Sequence, residues 1–250
     1  MTDEPRVLKL PSVEHVDYPN NFVRNAVCEL RFPTLLELET RPPEALQRAL
    51  RKEYPVYERA QAVTGIPLAG GSPETQLQHQ LRSKDKKWTV LFRSSRVALE
   101  TTSYRGFRDF LPRLAWVLKA VSPIIDSDFF TRIGLRYINA IPFTSGPAFD
   151  GWVNPALTGT LVNGPFGDVS TFWQQTHGPA ERGWYTFRHG LPDGDGKREY
   201  ILDFDFYDEN IDVKDSEQAI TQMHEMSYNF FCWAAGPKTI AEMSAKGASK

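Results

Sequence analysis

The side chains best suited to chemistry in this sequence are arginines and carboxylates placed in strand-like segments. Arg132 and Arg136 stand four apart, with Gly134 between them, in the longest strand-like run of the 250 residues, 129–141. Side chains alternate along a strand, so Arg132, Gly134 and Arg136 share one face. Thr131, Ile133, Leu135, Tyr137 and Ile141 take the other. Guanidinium forks donate bidentately to carboxylate or phosphate, and an unpaired buried charge is costly, so this face needs counter-charges or a ligand. The same parity in neighbouring runs offers Glu29 and Arg31, Glu100 and Thr102, and Asp203 and Asp205.

Three chemistries fit that set. Cross-strand ion pairs on a solvated sheet face are the plainest, at about 0.2–1 kcal/mol per pair. A mixed-charge groove for a partner or ligand is the second. The third has Glu29, Glu100, Asp203 and Asp205 holding a divalent ion while the arginines hold phosphates. Gly134 inside a strand predicts close approach by a backbone, an aromatic ring or a ligand, with strand curvature as the competing explanation.

Other routes to catalysis lack their signatures. His15, His79, His177, His189 and His224 are scattered without metal-ligand spacing, and His224 reads as a packed or capping residue. Nucleophile elbows, P-loops and dinucleotide fingerprints are missing, so no catalytic residue, cofactor or metal ligand is assigned. Cys28 and Cys232 sit in apolar runs and imply no disulfide framework. Trp152, Trp173 and Trp184 read as core or rim aromatics that, if exposed, would mark a protein interface. A formal net charge of −2 provides no global attraction to nucleic acid. Neither a membrane span nor a signal peptide is expected, and the default compartment is a reducing cytoplasm.

These segments must be positioned by a repeated scaffold. Residues 1–20 read as an extended arm. The first half, 21–125, gives a strand to Phe32, a helix from Pro42-Pro43-Glu44 to about Tyr54, irregular chain over 61–74, strands at 75–83, 88–93 and 96–104, and a helix from Phe107. Pro112 in that helix is tolerable in its first turn. The second half, 126–238, gives the 129–141 strand, a short helix over 152–157, strands at 170–177, 183–190 and 199–207, and a helix over 216–235 stopped by Gly236-Pro237. A turn is expected at 192–196, and 239–250 reads as a flexible tail. The expected fold is α+β: a duplicated strand-helix-three-strand-helix unit forming a long curved antiparallel sheet with helices on one face. By architectural analogy alone, it would be a TATA-binding-like saddle.

Glu29-Leu30-Arg31-Phe32-Pro33, Leu99-Glu100-Thr101-Thr102-Ser103-Tyr104 and Arg132-Ile133-Gly134-Leu135-Arg136-Tyr137-Ile138-Asn139 together resemble a sporadically distributed family of uncharacterised bacterial proteins. The resemblance implies a bacterial protein, and a patchy distribution hints at defence-related or mobile-element neighbourhoods. It brings no catalytic residues. The functional expectation is a non-enzymatic binding or regulatory module engaging a protein partner or small ligand, with Glu29, Arg31, Glu100, Arg132, Arg136, Asp203 and Asp205 as its binding set. The alternatives are a metal-dependent phosphohydrolase and a nucleic-acid-binding saddle. The second is disfavoured by a face carrying as many acids as bases.

Overall fold

The computed structural model describes residues 6–64, 74–142, 151–193 and 199–245. The chain runs β1 (Val23–Arg31), α1 (Glu37–Thr40), α2 (Glu44–Leu50), β2 (Val56–Thr64), β3 (Glu74–Arg82), β4 (Trp88–Arg93), β5 (Arg96–Thr101) and α3 (Phe107–Ile125). It continues with β6 (Phe129–Pro142), α4 (Pro155–Asn163), β7 (Phe172–Pro179), β8 (Trp184–Leu191), β9 (Glu199–Asp212), a 3-10 turn, α5 (Ser216–Ala234) and α6 (Pro237–Ser244). One long antiparallel sheet takes the strands in the order β2-β3-β4-β5-β1-β6-β9-β8-β7.

The order of elements repeats as the sequence implies. Each half opens on a strand, crosses through helix, makes a meander whose last strand lies beside the opening one, and closes with a long helix. The first half holds one strand more than expected, because β2 precedes the other three. Its run Val56-Tyr57-Glu58-Arg59 mixes charge with β-formers, and as an outermost strand it needs little apolar surface. The expected irregular stretch 61–74 is therefore strand at 61–64 and at 74; 65–73 lie outside the described residues. The short helix starts three residues later than expected, where Asn154 accepts from the Ala156 N–H and Pro155 occupies the first position.

Two further expectations change. Pro112 is the sixth residue of α3, past its first turn, so the helical bond that residue 112 would donate to Arg108 is absent. The flexible tail proposed for 239–250 begins as helix. Gly236-Pro237 ends α5, but Pro237 also starts α6, whose Thr239 and Met243 are buried. Residues 246–250 lie outside the described residues, as do 194–196 of the expected turn.

Two compact units divide the chain: Met1–Ala26 with Leu135–Asp208 and Ile220–Lys250, and Val27–Gly134 with Glu209–Ala219. In the second, α3 turns Phe110, Leu114, Val117, Val121 and Ile125 inward. Trp88 of β4 meets Phe110 at 5.9 Å, and Arg113 lies over the Trp88 ring. Parity then places Trp88, Val90, Phe92, Val97, Leu99 and Thr101 under the helix and Arg93, Arg96 and Glu100 on the helix-free side. In the first unit, Phe230 of α5 packs on Phe187 and Phe204 at 4.5 and 5.0 Å. Tyr200, Leu202, Phe204 and Phe206 thus face α5, and Asp203, Asp205 and Tyr207 face away from it. The arm lies along α5, with the Val13 N–H donating to Asn229 Oδ1 and the His15 ring stacked on Tyr228 at 4.5 Å.

Candidate functional site

The binding set inferred from sequence falls into two clusters, one per unit. In the second unit, three arginines converge on Glu29. Arg31 Nε donates to Oε1 at 2.8 Å, Arg96 Nη1 to Oε2 at 3.0 Å, and Arg132 Nη1 stands 3.6 Å from Oε1. Burial alone would raise the Glu29 carboxyl, but the Arg31 hydrogen bond and the charges of Arg31, Arg96 and Arg132 outweigh it and hold the group below its usual range. Glu100 stands four residues beyond Arg96 on the same face of β5. Arg96 was missed in the sequence as a strand-end residue, and so was Arg93. The turn Ser94-Ser95 sets Arg93 directly opposite Arg96. Arg93 is 9% exposed and its Nε donates to Gln78 Oε1 at 2.7 Å.

What approaches Gly134 is the Arg132 guanidinium itself. A Cβ there would stand 2.7 Å from Arg132 Nη1. The sequence pointed to a backbone, an aromatic ring or a ligand at this spot; the three nearest atoms are instead those of a flexible side chain two residues back on the same strand.

In the first unit, Arg136 closes on Asp203: Nε to Oδ1 at 2.8 Å and Nη2 to Oδ2 at 2.7 Å, a bidentate pair. The hydrogen bond to Asp203 also raises the Arg136 pKa. Asp205 shares this face. Farther along it the register assembles aromatic rings that no spacing in the sequence announces. The His177 ring of β7 stacks with Trp184 of β8 at 5.5 Å and with Tyr207 of β9 at 6.2 Å, within about 10° of parallel to each. Arg188 caps Trp173 at 4.0 Å from the ring centroid. Trp173 and Trp184 are 37% and 42% exposed. Gly190, opposite Trp173, has φ +151°, and a Cβ there would fall 1.9 Å from the Phe172 carbonyl oxygen.

For the metal alternative, the geometry supplies occupied carboxylates. Both oxygens of Glu29 and both of Asp203 are engaged by guanidiniums. Among the described residues, no group of three His, Cys, Asp or Glu side chains comes together in metal-holding geometry.

Three histidines are held on tyrosine hydroxyls. His224 Nδ1 meets the Tyr137 hydroxyl at 3.1 Å, and burial, with His15 nearby, pushes its pKa down to about 4. His189 is 4% exposed, meets the Tyr200 hydroxyl at 2.7 Å and is pushed by burial to about 4. His79 meets the Tyr57 hydroxyl at 2.8 Å. Three imidazoles held neutral carry a pH consequence, since burial, with the Arg59 charge, lowers His79 as well. In the unfolded chain they take up protons near pH 6.5, and in the folded protein only at lower pH, near 4 for His189 and His224. Stability is therefore full above about pH 6.5 and falls as pH drops from there towards 4. Thermal melts across pH 7 to 4 should show the decline, and His189→Phe should make it shallower. A His189→Phe slope equal to the parent's would refute the assignment.

No family model matches the chain, and no curated protein matches it. Among solved structures, Methanococcus jannaschii TBP aligns with 84% of this chain and 99% of its own, at 10% identity and a TM-score of 0.27, a score too low to carry an argument. No helix among the described residues is long and apolar enough to cross a membrane.

Proposed function

We propose that this protein is a non-enzymatic binding module that engages a protein partner through the aromatic edge of its first unit. The observation carrying this reading is strand β7. It ends the sheet, contains no acidic or lysine/arginine residue in Phe172-Trp173-Gln174-Gln175-Thr176-His177-Gly178-Pro179, and is exposed from Trp173 to His177. Sheet edges are ordinarily guarded by charge, because their open backbone groups recruit any extended chain. Here the edge is flanked instead by exposed Trp173 and Trp184 and by Arg188, the residue types that anchor interfaces. An extended segment of a partner would add backbone hydrogen bonds at the edge and bury the rings beside it. Occupied carboxylates favour this over metal-dependent hydrolysis.

Replacing Gln175 by Pro removes one strand N–H and bars pairing on that edge. Affinity purification from the native host should recover a partner at fixed stoichiometry with the parent, and at least about tenfold less with Gln175→Pro or Trp184→Ser. Equal recovery with both folded variants would sink this reading.

A further inference from the structure

The backbone of β7 fixes which of its peptide groups are open. One step beyond the Pro179–Trp184 pair, the Ala180 N–H donates to the Gly183 carbonyl, so residue 180 points its N–H at the β8 side. Bonded and unbonded pairs alternate along an antiparallel ladder. Trp173, Gln175, His177 and Pro179 therefore turn their peptide groups away from β8, to the outside of the sheet. Two details agree. Proline, which has no N–H, occupies one of these outward positions, and the Pro179 carbonyl accepts from the Leu8 N–H of the arm. The arm thus closes the edge at Pro179. Among the described residues, no other backbone group bonds the outward groups of Trp173, Gln175 and His177.

This open set is symmetric. Trp173 and His177 are equally spaced about Gln175, and the exposed run 173–177 is centred on it. A two-fold axis through Gln175, perpendicular to the sheet, lays a second β7 antiparallel on the first. Gln175 then stands opposite its own copy, and Trp173 opposite the second copy's His177. Every outward group meets an outward group, and each of these register pairs can exchange both of its N–H···O bonds. The side chains match as well, because paired residues share a face: Trp173 meets an imidazole, Gln175 an amide, and on the other face Gln174 meets Thr176. Neither neighbouring axis does this. An axis at Thr176 would set Trp173 against Pro179, which has no N–H and whose carbonyl the arm already holds. An axis at Gln174 would set His177 against residue 171, outside the strand. No like charges are brought opposite one another, since β7 has no acidic, lysine or arginine residue. The Arg188 positions of the two copies stand three strand spacings apart, about 14 Å.

We propose, resting on the edge-strand reading, that the partner recruited by β7 is a second copy of this chain, paired antiparallel about Gln175 in a two-fold dimer. Association stops at two because the pairing consumes the open edge of both copies. At the other end of the sheet, β2 carries Glu58 and Arg59, which guard it. The exposed Trp173, capped by Arg188, is the ring that each copy buries against the other.

Sedimentation velocity of the full chain from about 1 to 100 µM should show a reversible monomer–dimer equilibrium. Gln175→Pro removes an outward N–H and leaves the bonds to β8 in place, so it should be monomeric at the top of that range. Charge placed on the axis tests the register. Gln175→Lys sets two ammoniums face to face and Gln175→Glu two carboxylates, so each alone should dimerise at least about threefold more weakly than the parent. An equimolar mixture of the two should dimerise more tightly than either alone, because the axis then joins opposite charges. Near-UV circular dichroism verifies that each variant is folded. A parent that stays monomeric at about 100 µM, a dimer unaffected by Gln175→Pro, or a mixture no tighter than its components would each overturn the proposal. Where the parent is monomeric but a different protein is recovered from the native host, and is lost with Gln175→Pro, the edge-strand reading stands and self-pairing falls. No dimer and no recovered partner would end both.

Discussion

Phe230→Ala is expected to cost about 3–5 kcal/mol, the range for removing a large aromatic from a packed core. Phe230 is 4% exposed, and its ring centroid lies within 6.4 Å of those of Phe187, Phe204, Trp233, Tyr185 and Phe206. Four of these rings belong to β8 and β9, so one α5 side chain pins the helix to both strands. Phe187 and Phe204 face each other in register and stack at 4.9 Å, which fixes the floor beneath Phe230 and limits collapse into the gap. Aromatic pairing adds roughly 0.5–1.5 kcal/mol per pair beyond area, so the upper part of the range applies. For a chain of this size that corresponds to a fall in melting temperature of roughly 10 °C. Phe230→Leu should cost under about half as much. A Phe230→Ala protein melting within about 2 °C of the parent would mean that α5 is not held by this cluster.

That cluster was legible in outline. Alternation along 199–207 put Leu202, Phe204 and Phe206 on the helix side, and the spacing of Ile220, Met223, Met226, Phe230 and Trp233 gave one apolar stripe on the helix, because period two and period 3.6 are local properties. Alternation likewise put Glu29, Arg132, Arg136 and Asp203 on the side away from the helices. Which carboxylate meets which arginine depends on strand order, and strand order is long-range. The aromatic row shows the limit most clearly. His177, Trp184 and Tyr207 meet only because His177 pairs with Thr186 while Trp184 pairs with Tyr207. A one-residue slip would send each ring to the other face. Arg93 and Arg96 were within reach, since a two-residue turn at Ser94-Ser95 forces them opposite. As strand-end residues they carry no alternation of their own to mark a face. The extra strand β2 and the last helix α6 escaped for a simpler reason. Both are polar segments whose neighbours, a glycine-rich stretch and a Gly-Pro pair, read as breaks in structure.

The two charged clusters differ in kind, and a set of substitutions should separate them. In the second unit three arginines share Glu29. In the first, Arg136 and Asp203 make a closed pair whose partners are unequally buried, with side chains 46% and 10% exposed. Removing the exposed partner strands the buried one, so Arg136→Ala leaves the Asp203 carboxylate nearly out of water. Breaking a buried pair this way costs about 3–5 kcal/mol when both partners are buried. The half-exposed arginine, and Arg188 standing opposite Asp203 in register, reduce that to about 2–3 kcal/mol. Asp203→Ala frees an arginine that can reach solvent, so its cost should be nearer 1 kcal/mol. The double variant should sit close to Asp203→Ala and above Arg136→Ala in stability, because it leaves no buried charge behind. Urea denaturation of the three proteins measures this directly. Additive costs would show that Arg136 and Asp203 do not act as a pair. A double variant less stable than Arg136→Ala would show that Asp203 holds something other than Arg136. The expected ordering places Arg136 in the framework of the sheet, so a loss of partner binding on its removal must first be corrected for the fraction unfolded.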